Sequence, residues 1–295
     1  MKQTLLALLC FVATALAQED KHVIGAMPNE GFFSSFVSVV NSLMWAEANG
    51  KTPVIYWDEK SLFHNGSGNS WEYYFEPVSS LSYHPREGLA LWDACPAPDS
   101  IHLFSSFLKN VDEFHGTLRA KAKQTIDRFI RVLPHITEKV NRFYQERMTG
   151  KTNIGIHFRG TDFSPQWKVK EMVASQCIAA AKEAAKRYPG EVQFFIATDD
   201  EALLAYAKKQ LPRVIHCDSQ RSVNGQPIHR KGSGFDRRLL GEELLIEGLL
   251  LTKCDYFVHS HSSVPIAVML LNPELKTEFI SPMPAIYKHV YGLSD

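Results

Sequence analysis

The sequence has no excess of charge of either sign. Its 295 residues include 32 lysines and arginines and 32 aspartates and glutamates, so its formal net charge is zero. No global field therefore attracts nucleic acid or an anionic membrane, and we predict no nucleic-acid partner. Any site for an anion must be local.

Three common catalytic motifs are also missing. The chain contains no phosphate loop of the form G-x-x-x-x-G-K-[ST], no G-x-S-x-G nucleophile elbow and no zinc-binding H-E-x-x-H sequence. Their absence argues against the most common classes of hydrolase and nucleoside triphosphatase.

The apolar run at the N-terminus is too short to span a bilayer. It covers residues 5–17, which is 13 residues, whereas a spanning helix needs about 20. The run follows a lysine and ends in Ala15-Leu16-Ala17, as signal peptides do. We predict a signal peptide over residues 1–17 and a location in the ER or Golgi lumen or outside the cell. The alternative is an uncleaved anchor, which would hold the protein at a membrane.

Cysteines are few, and none has the spacing of a metal site. Cys10 would leave with the signal peptide, and the remaining four are Cys95, Cys177, Cys217 and Cys254. An oxidising compartment permits two disulfides among them, whereas the apolar surroundings of the last three favour buried thiols. The sequon at Asn65 predicts N-glycosylation in a polar loop.

Strands and helices alternate along the chain, which predicts an α/β fold with parallel sheets. The segment at residues 148–151 predicts a boundary between two domains, residues 18–150 and 151–295, of which the second has the pattern of a doubly wound domain. The predicted strands cover residues 22–27, 53–57, 152–157, 192–197, 214–216, 255–258 and 277–280. The predicted helices cover residues 34–49, 124–147, 168–187, 201–210, 242–252 and 264–271.

Polar clusters stand at the ends of three predicted strands in the second domain. Ligands of open parallel sheets bind at the carboxyl ends of strands, so these clusters predict a site. In the first cluster, His157 to Asp162, the planar donor fork of Arg159 suits a phosphate. The alternative is an ordinary turn in which Gly160 adopts a positive φ and Asp162 closes the turn.

The other two clusters are also compatible with helix capping. Asp199 and Asp200 begin a helix, where an N-cap role is favoured over a site for a divalent cation that bridges two phosphates. Ser262 and Ser263 precede a helix whose first backbone N–H groups can bind an anion. Ser263 is expected to cap this helix. The nearby histidines have no third ligand in the sequence, so we predict no metal site.

Together these clusters resemble the GDP-fucose-dependent fucosyltransferase superfamily, which includes core α1,6-, NodZ-type and protein O-fucosyltransferases. "IHFRGTDF", "FFIATDDEALLAYAKKQLP" and "LLIEGLLLTKCDYFVHSHSSVPIAV" are similar to its three motifs in order and spacing over residues 152–282. "NEGFFSSF" is similar to the first strand-turn-helix of protein O-fucosyltransferases.

The resemblance implies a GT-B fold, in which two Rossmann-like doubly wound domains face each other across a cleft. It also implies an inverting, metal-independent transfer of fucose from GDP-fucose to a glycan or protein hydroxyl. GDP-fucose would be a co-substrate, and no cofactor is implied. The motif arginine, Arg159, would contact the β-phosphate, and Glu247 stands where the family usually has an aspartate that helps to hold the nucleotide. The remaining donor-binding residues implied are His157, Asp162, Asp199, Asp200, Ser262 and Ser263.

Two departures from the core α1,6 pattern matter. Those enzymes have a second arginine where this chain has Gly160, and their proposed base is an acid where this chain has Pro165-Gln166-Trp167. Some protein O-fucosyltransferases place a catalytic glutamate at the first strand-helix turn, and Glu30 stands there. Our hypothesis is that Glu30 deprotonates the acceptor. The alternatives are a transferase for another nucleotide sugar and a secreted nucleotide- or carbohydrate-binding protein with a degenerate site.

Overall fold

The computed structural model describes residues 21–85, 103, 114–161, 167–230 and 232–280. The predicted signal peptide, Cys95 and Asp162 lie outside these described residues. The first half contains two parallel strands, β1 (Lys21–Ile24) and β2 (Thr52–Ile55), joined through helix α1 (Phe32–Ala48). Helix α1 ends before Gly50, which has a φ of 63°, a conformation that glycine adopts without a steric cost.

The helix predicted over residues 124–147 is wrong as a single element. The structure has α2 (Arg119–Phe129) and α3 (Pro134–Phe143), followed by one π-helical turn, Tyr144–Met148. Pro134 has no N–H for the helical ladder, and its ring disfavours a helical conformation in the residue before it. The chain is accordingly extended at Ile130 and Leu133, and a new helix begins at the proline.

The second half is a five-stranded, wholly parallel sheet with the strand order β5-β4-β3-β6-β7. The observed helix α6 begins five residues before the predicted one, because Asp236 accepts a hydrogen bond from the N–H of Leu239 and caps it. The strands are β3 (Thr152–Phe158), β4 (Val192–Thr198), β5 (Val214–Ile215), β6 (Tyr256–His259) and β7 (Thr277–Phe279). The helices are α4 (Trp167–Ala185), α5 (Glu201–Gln210), α6 (Arg237–Leu251) and α7 (Ser263–Leu271).

One hydrophobic core crosses the predicted domain boundary. It joins α1 and the aromatic side chains after β2 to residues of α6 and α7, among them Leu240, Leu245 and Ile266. Helices α1 and α7 also pack directly against each other. This shared core holds the turn after β1 close to the strand ends of the second half. The division at residue 150 stays a prediction.

Buried Arg119 ties the first half to the carboxyl end of α7. Its guanidinium donates hydrogen bonds to the carbonyl oxygens of Met269, Asn272 and Leu275 at 3.2–3.3 Å. We expect Arg119→Met to lower the free energy of unfolding by about 3 kcal/mol, because buried carbonyls lose their donors. Urea denaturation measures this. Arg128→Met on the same helix is the control, since its pair with Glu47 is largely exposed, and a loss there as large would contradict the prediction.

The remaining sequence expectations concern cysteines and membrane spans. Cys177, Cys217 and Cys254 are buried free thiols, as their apolar surroundings predicted. Burial raises the pKa of the Cys177 thiol to about 12, so it is uncharged at neutral pH. None of the helices formed by the described residues is long and apolar enough to cross a bilayer.

Candidate functional site

A cavity of about 490 Å³ lies at the carboxyl ends of the strands, and its size suits a ligand as large as a cofactor. The turn before α1 forms one side, and the ends of β3 and β4, the start of α7 and one face of α6 form the rest. Seven of the predicted site residues line it, namely Glu30, His157, Arg159, Asp199, Glu247, Ser262 and Ser263.

The cavity lies where the strand order of the sheet reverses. From β3 the chain proceeds through β4 and β5 to one edge and then returns to place β6 on the other side of β3. His157 and His259 are register partners at the ends of β3 and β6. The loops that leave these two strands diverge, which opens the crevice in which ligands of such sheets bind.

Arg159 follows β3 directly and is half-buried. Among the described residues that line the cavity, it is the only arginine or lysine. Burial, and then the positive charge of Arg159, lower the pKa of His261 to about 4. His261 is therefore neutral at physiological pH, and the guanidinium is the fixed positive charge that an anion would meet.

The turn after Arg159 is held by Asp199 at the end of β4. One carboxylate oxygen of Asp199 accepts hydrogen bonds from the backbone N–H groups of Gly160 at 3.1 Å and Thr161 at 3.3 Å. The other oxygen accepts the hydroxyl proton of Thr161. Gly160 does not adopt the positive φ that the ordinary-turn alternative required. A glycine is needed there because a Cβ atom would lie 2.4 Å from the Cβ of Asp200.

Asp200 lies behind the cavity, not in its lining. Its carboxylate caps α5 by accepting from the N–H groups of Ala202 at 2.9 Å and Leu203 at 3.3 Å. It also forms a buried ion pair with Lys170 at 2.9 Å. The capping interpretation of the acidic pair is thus confirmed for Asp200. A contact between Asp200 and a bound nucleotide sugar stays a prediction, and the geometry does not favour it.

Glu247 is a buried acid on the face of α6 that lines the cavity. It accepts hydrogen bonds from Ser219 Oγ at 2.7 Å and from Arg221 Nη2 at 3.2 Å. Burial raises the pKa of Glu247 to about 7, although Arg221 and Ser219 favour its ionised form. Arg221 also donates to the backbone carbonyl groups of Thr198 and Cys217, so it fixes this wall of the cavity.

The start of α7 presents its first residues to the cavity. The cap is Ser262, not Ser263 as expected, because the Ser262 hydroxyl accepts from the N–H of Val264 at 3.3 Å. Ser263 is the first helical residue, so its N–H has no partner within the helix. Both serines line the cavity, which places the positive end of the helix dipole there.

Glu30 also lines the cavity, from the turn between β1 and α1. Its side chain is exposed, and its backbone N–H donates to the carbonyl oxygen of Met27. Asn29 before it has a φ of 60°, which directs this turn. Glu30 and Arg159 therefore border the same space from two parts of the chain that are 129 positions apart in the sequence.

Sequence reasoning missed the apolar part of the lining. Leu240, Leu244 and Gly248 recur on α6 at helical spacing, a signal that was available in the sequence. Gly248 permits a close approach, since a Cβ atom there would lie 2.4 Å from the Cζ atom of Phe33. The other missed apolar residues are Phe32, Phe33, Phe63, Ala197, Ile228 and Val264.

Two further expectations concern metal and glycan. No group of three or more histidines, cysteines, aspartates or glutamates within the described ranges is arranged to hold a metal ion. Metal independence stays a prediction. Asn65 lies in an exposed loop, and its side-chain oxygen accepts a hydrogen bond from the hydroxyl of Tyr73 at 2.6 Å.

Comparison with known proteins agrees with this geometry. The family model of Nodulation protein Z (NodZ) matches residues 118–268, about half of the chain. Nodulation protein Z of Sinorhizobium fredii (strain NBRC 101917 / NGR234) is 27% identical over 128 residues, which cover 41% of this chain and 39% of that protein. The match thus spans about two fifths of the length of this curated relative.

Two solved structures resemble most of the chain. NodZ alpha-1,6-fucosyltransferase co-crystallised with GDP aligns with a TM-score of 0.57 and 19% identity, covering 85% of this chain and 92% of that one. POFUT1 in complex with GDP-fucose aligns with a TM-score of 0.51 and 10% identity, covering 88% and 98%. At these identities the likeness shows the fold alone, and it confirms the predicted GT-B type α/β fold.

Proposed function

Because this chain belongs to the NodZ family, we propose that it is an inverting, metal-independent glycosyltransferase that moves fucose from GDP-fucose to a glycan or protein hydroxyl. The main observation behind this proposal is that residues of all three strand-end motifs line the same cavity as Glu30. The names of the similar structures support the donor, since one was crystallised with GDP and the other with GDP-fucose.

The phosphate end of the donor fits the wall formed by Arg159 and the start of α7. As the bond to the sugar breaks, the departing GDP gains negative charge. A guanidinium and helix N–H groups that are already in place stabilise this charge without reorganising. The carboxylate of Glu247 would accept hydrogen bonds from the base, whose guanine edge presents N–H donors.

A donor panel tests the function. Purified protein is incubated with GDP- and UDP-linked sugars, and release of free nucleotide is measured. We expect GDP release from GDP-fucose to exceed release from every other donor. Faster turnover of another nucleotide sugar would favour the second transferase hypothesis. Tight GDP binding without turnover of any donor would favour a binding protein with a degenerate site.

We expect transfer to continue in excess EDTA. The phosphate contacts come from Arg159 and the start of α7, and the carboxylates of Asp199 and Asp200 are already used by protein hydrogen bonds. The measurement is the initial rate of transfer before and after chelation. Loss of activity that Mn²⁺ restores would contradict the prediction and return the acidic pair to a role in metal binding.

GDP binding should weaken as the pH falls from 8 to 6, because Glu247, with a pKa of about 7, becomes protonated and loses an acceptor. The loss is at most about tenfold per pH unit. Calorimetry of wild type and Glu247→Gln measures it. The terminal phosphate of GDP also titrates in this range, so the readout is the difference in slope. Equal slopes would contradict the prediction.

We also propose that the protein works in the lumen of the secretory pathway or is secreted. The predicted signal peptide and the exposed sequon at Asn65 support this location. A shift in mass after enzymatic removal of N-glycans, absent in Asn65→Gln, is the expected result. Protein recovered only without glycan and with residues 1–17 attached would contradict it.

A further inference from the structure

The turn that carries Arg159 follows the last residue of β3 directly. The carboxylate of Asp199, at the end of the neighbouring strand β4, contacts this turn. Two backbone N–H groups and one hydroxyl, from Gly160 and Thr161, converge on that carboxylate. Because three hydrogen bonds from two consecutive residues end on one side chain, this contact fixes the path of the chain after Arg159.

The same residue anchors a second segment of the cavity wall. The backbone carbonyl oxygen of Asp199 accepts from the N–H of Ser222 at 2.9 Å. Ser222 belongs to the loop that continues to Ile228 and His229, and both of these residues line the cavity. Asp199 thus joins β4 to the loops on both sides of the site.

The identity of residue 160 follows from this arrangement. A Cβ atom at Gly160 would lie 2.7 Å from the Oδ1 atom of Asp199 and 2.4 Å from the Cβ of Asp200. Neither distance is compatible with ordinary packing, so any side chain would separate the turn from the acidic pair. The second arginine of the core α1,6 enzymes has no room in this turn as it is built here.

We infer that Asp199 is a positioning residue, which directs Arg159 at the donor phosphate by fixing the backbone of residues 160 and 161. This inference rests on the proposed function and deepens it. It assigns to Asp199 a role through Arg159 in place of a direct contact with the donor. The carboxylate oxygens are already occupied by three donors, which leaves little capacity for a ligand.

The test is a double-mutant cycle on nucleotide binding, with guanosine as the internal control. Calorimetry measures the Kd of GDP and of guanosine for wild type, Asp199→Ala, Arg159→Ala and the double variant. We expect Asp199→Ala to weaken GDP binding at least about tenfold and guanosine binding less than about twofold. In the Arg159→Ala background, we expect the added loss for GDP to fall below about threefold, since coupled residues are not additive.

Two conservative variants make the test independent of a general loss of folding. Asp199→Asn keeps an acceptor for the two N–H groups and should recover most of the GDP affinity. Gly160→Ala should reproduce the loss. Gly116→Ala is its matched control, because Gly116 has a negative φ and no neighbour within 4 Å of an added Cβ. Thermal unfolding by circular dichroism identifies any variant that is not folded.

The outcomes separate the inference from the function on which it rests. Full additivity, or an equal loss for guanosine and GDP, overturns the positioning role while leaving the proposed function in place. Failure of Asp199→Asn to recover GDP affinity also overturns the positioning role, because the negative charge of the carboxylate, and not its hydrogen bonds, would then be what GDP binding requires. If wild type binds no GDP, the proposed function fails, and the positioning role fails with it.

Discussion

We expect Arg159→Ala to lower kcat/KM for transfer from GDP-fucose by about 10²–10³-fold. Among the described lining residues no other arginine or lysine borders the cavity. The low pKa of His261, about 4, means that this histidine supplies no positive charge in its place at neutral pH. The charge that GDP gains on leaving would then lose the one guanidinium among the described lining residues and would depend on weaker donors, such as those at the start of α7.

A charge-preserving variant and a remote variant define this effect. Arg159→Lys keeps a positive charge but loses the planar fork, so we expect an intermediate rate. Arg142→Ala removes an exposed arginine from α3, outside the cavity, and should leave the rate unchanged. The measurement is initial rates over a range of donor concentrations. A rate for Arg159→Ala within threefold of wild type would exclude this residue from the phosphate site.

We expect Glu30→Gln to lower kcat by about 10²–10⁴-fold while leaving the Kd of GDP unchanged. A glutamine keeps the size of the side chain and one acceptor oxygen but does not take up a proton. Glu30 is exposed and lines the cavity from a different segment of the chain than Arg159, so its replacement should disturb neither folding nor the phosphate contacts. Single-turnover transfer and calorimetry separate the two quantities.

The control for Glu30 is Glu76→Gln, which changes an exposed acid outside the cavity lining and should have no effect. If Glu30→Gln retains full transfer while Arg159→Ala is inactive, Glu30 is not the base. In that case the acceptor proton would have to pass to another group or directly to solvent.

The periodicity of the chain was sufficient to predict most strands and helices of the second half. Buried parallel strands are continuous apolar runs, and β4 shows this pattern clearly. Helix α5 shows the corresponding helical spacing of apolar residues. The predicted continuous helix over residues 124–147 failed because its apolar spacing continues across Pro134. Periodicity records which residues face the core, whereas a proline changes the backbone that presents them.

The strand-end clusters also predicted where the site lies, because parallel strands bring their carboxyl ends to one edge. The roles within each cluster were not available from residue type. Asp199 and Asp200 are adjacent aspartates, yet one faces the cavity and the turn after β3, and the other caps α5 and pairs with Lys170. The direction in which each side chain leaves the end of β4 makes this difference.

The motif "IHFRGTDF" shows the same division between sequence and structure. Its composition was enough to predict an anion site at Arg159, at the end of a buried strand, with an ordinary turn as the alternative. The requirement for Gly160 was decided only by packing, because the restriction comes from Asp199 and Asp200, which are contributed by another strand about 40 residues later. Local sequence specifies backbone preferences within a few residues, whereas the space available to a side chain depends on what the fold places beside it.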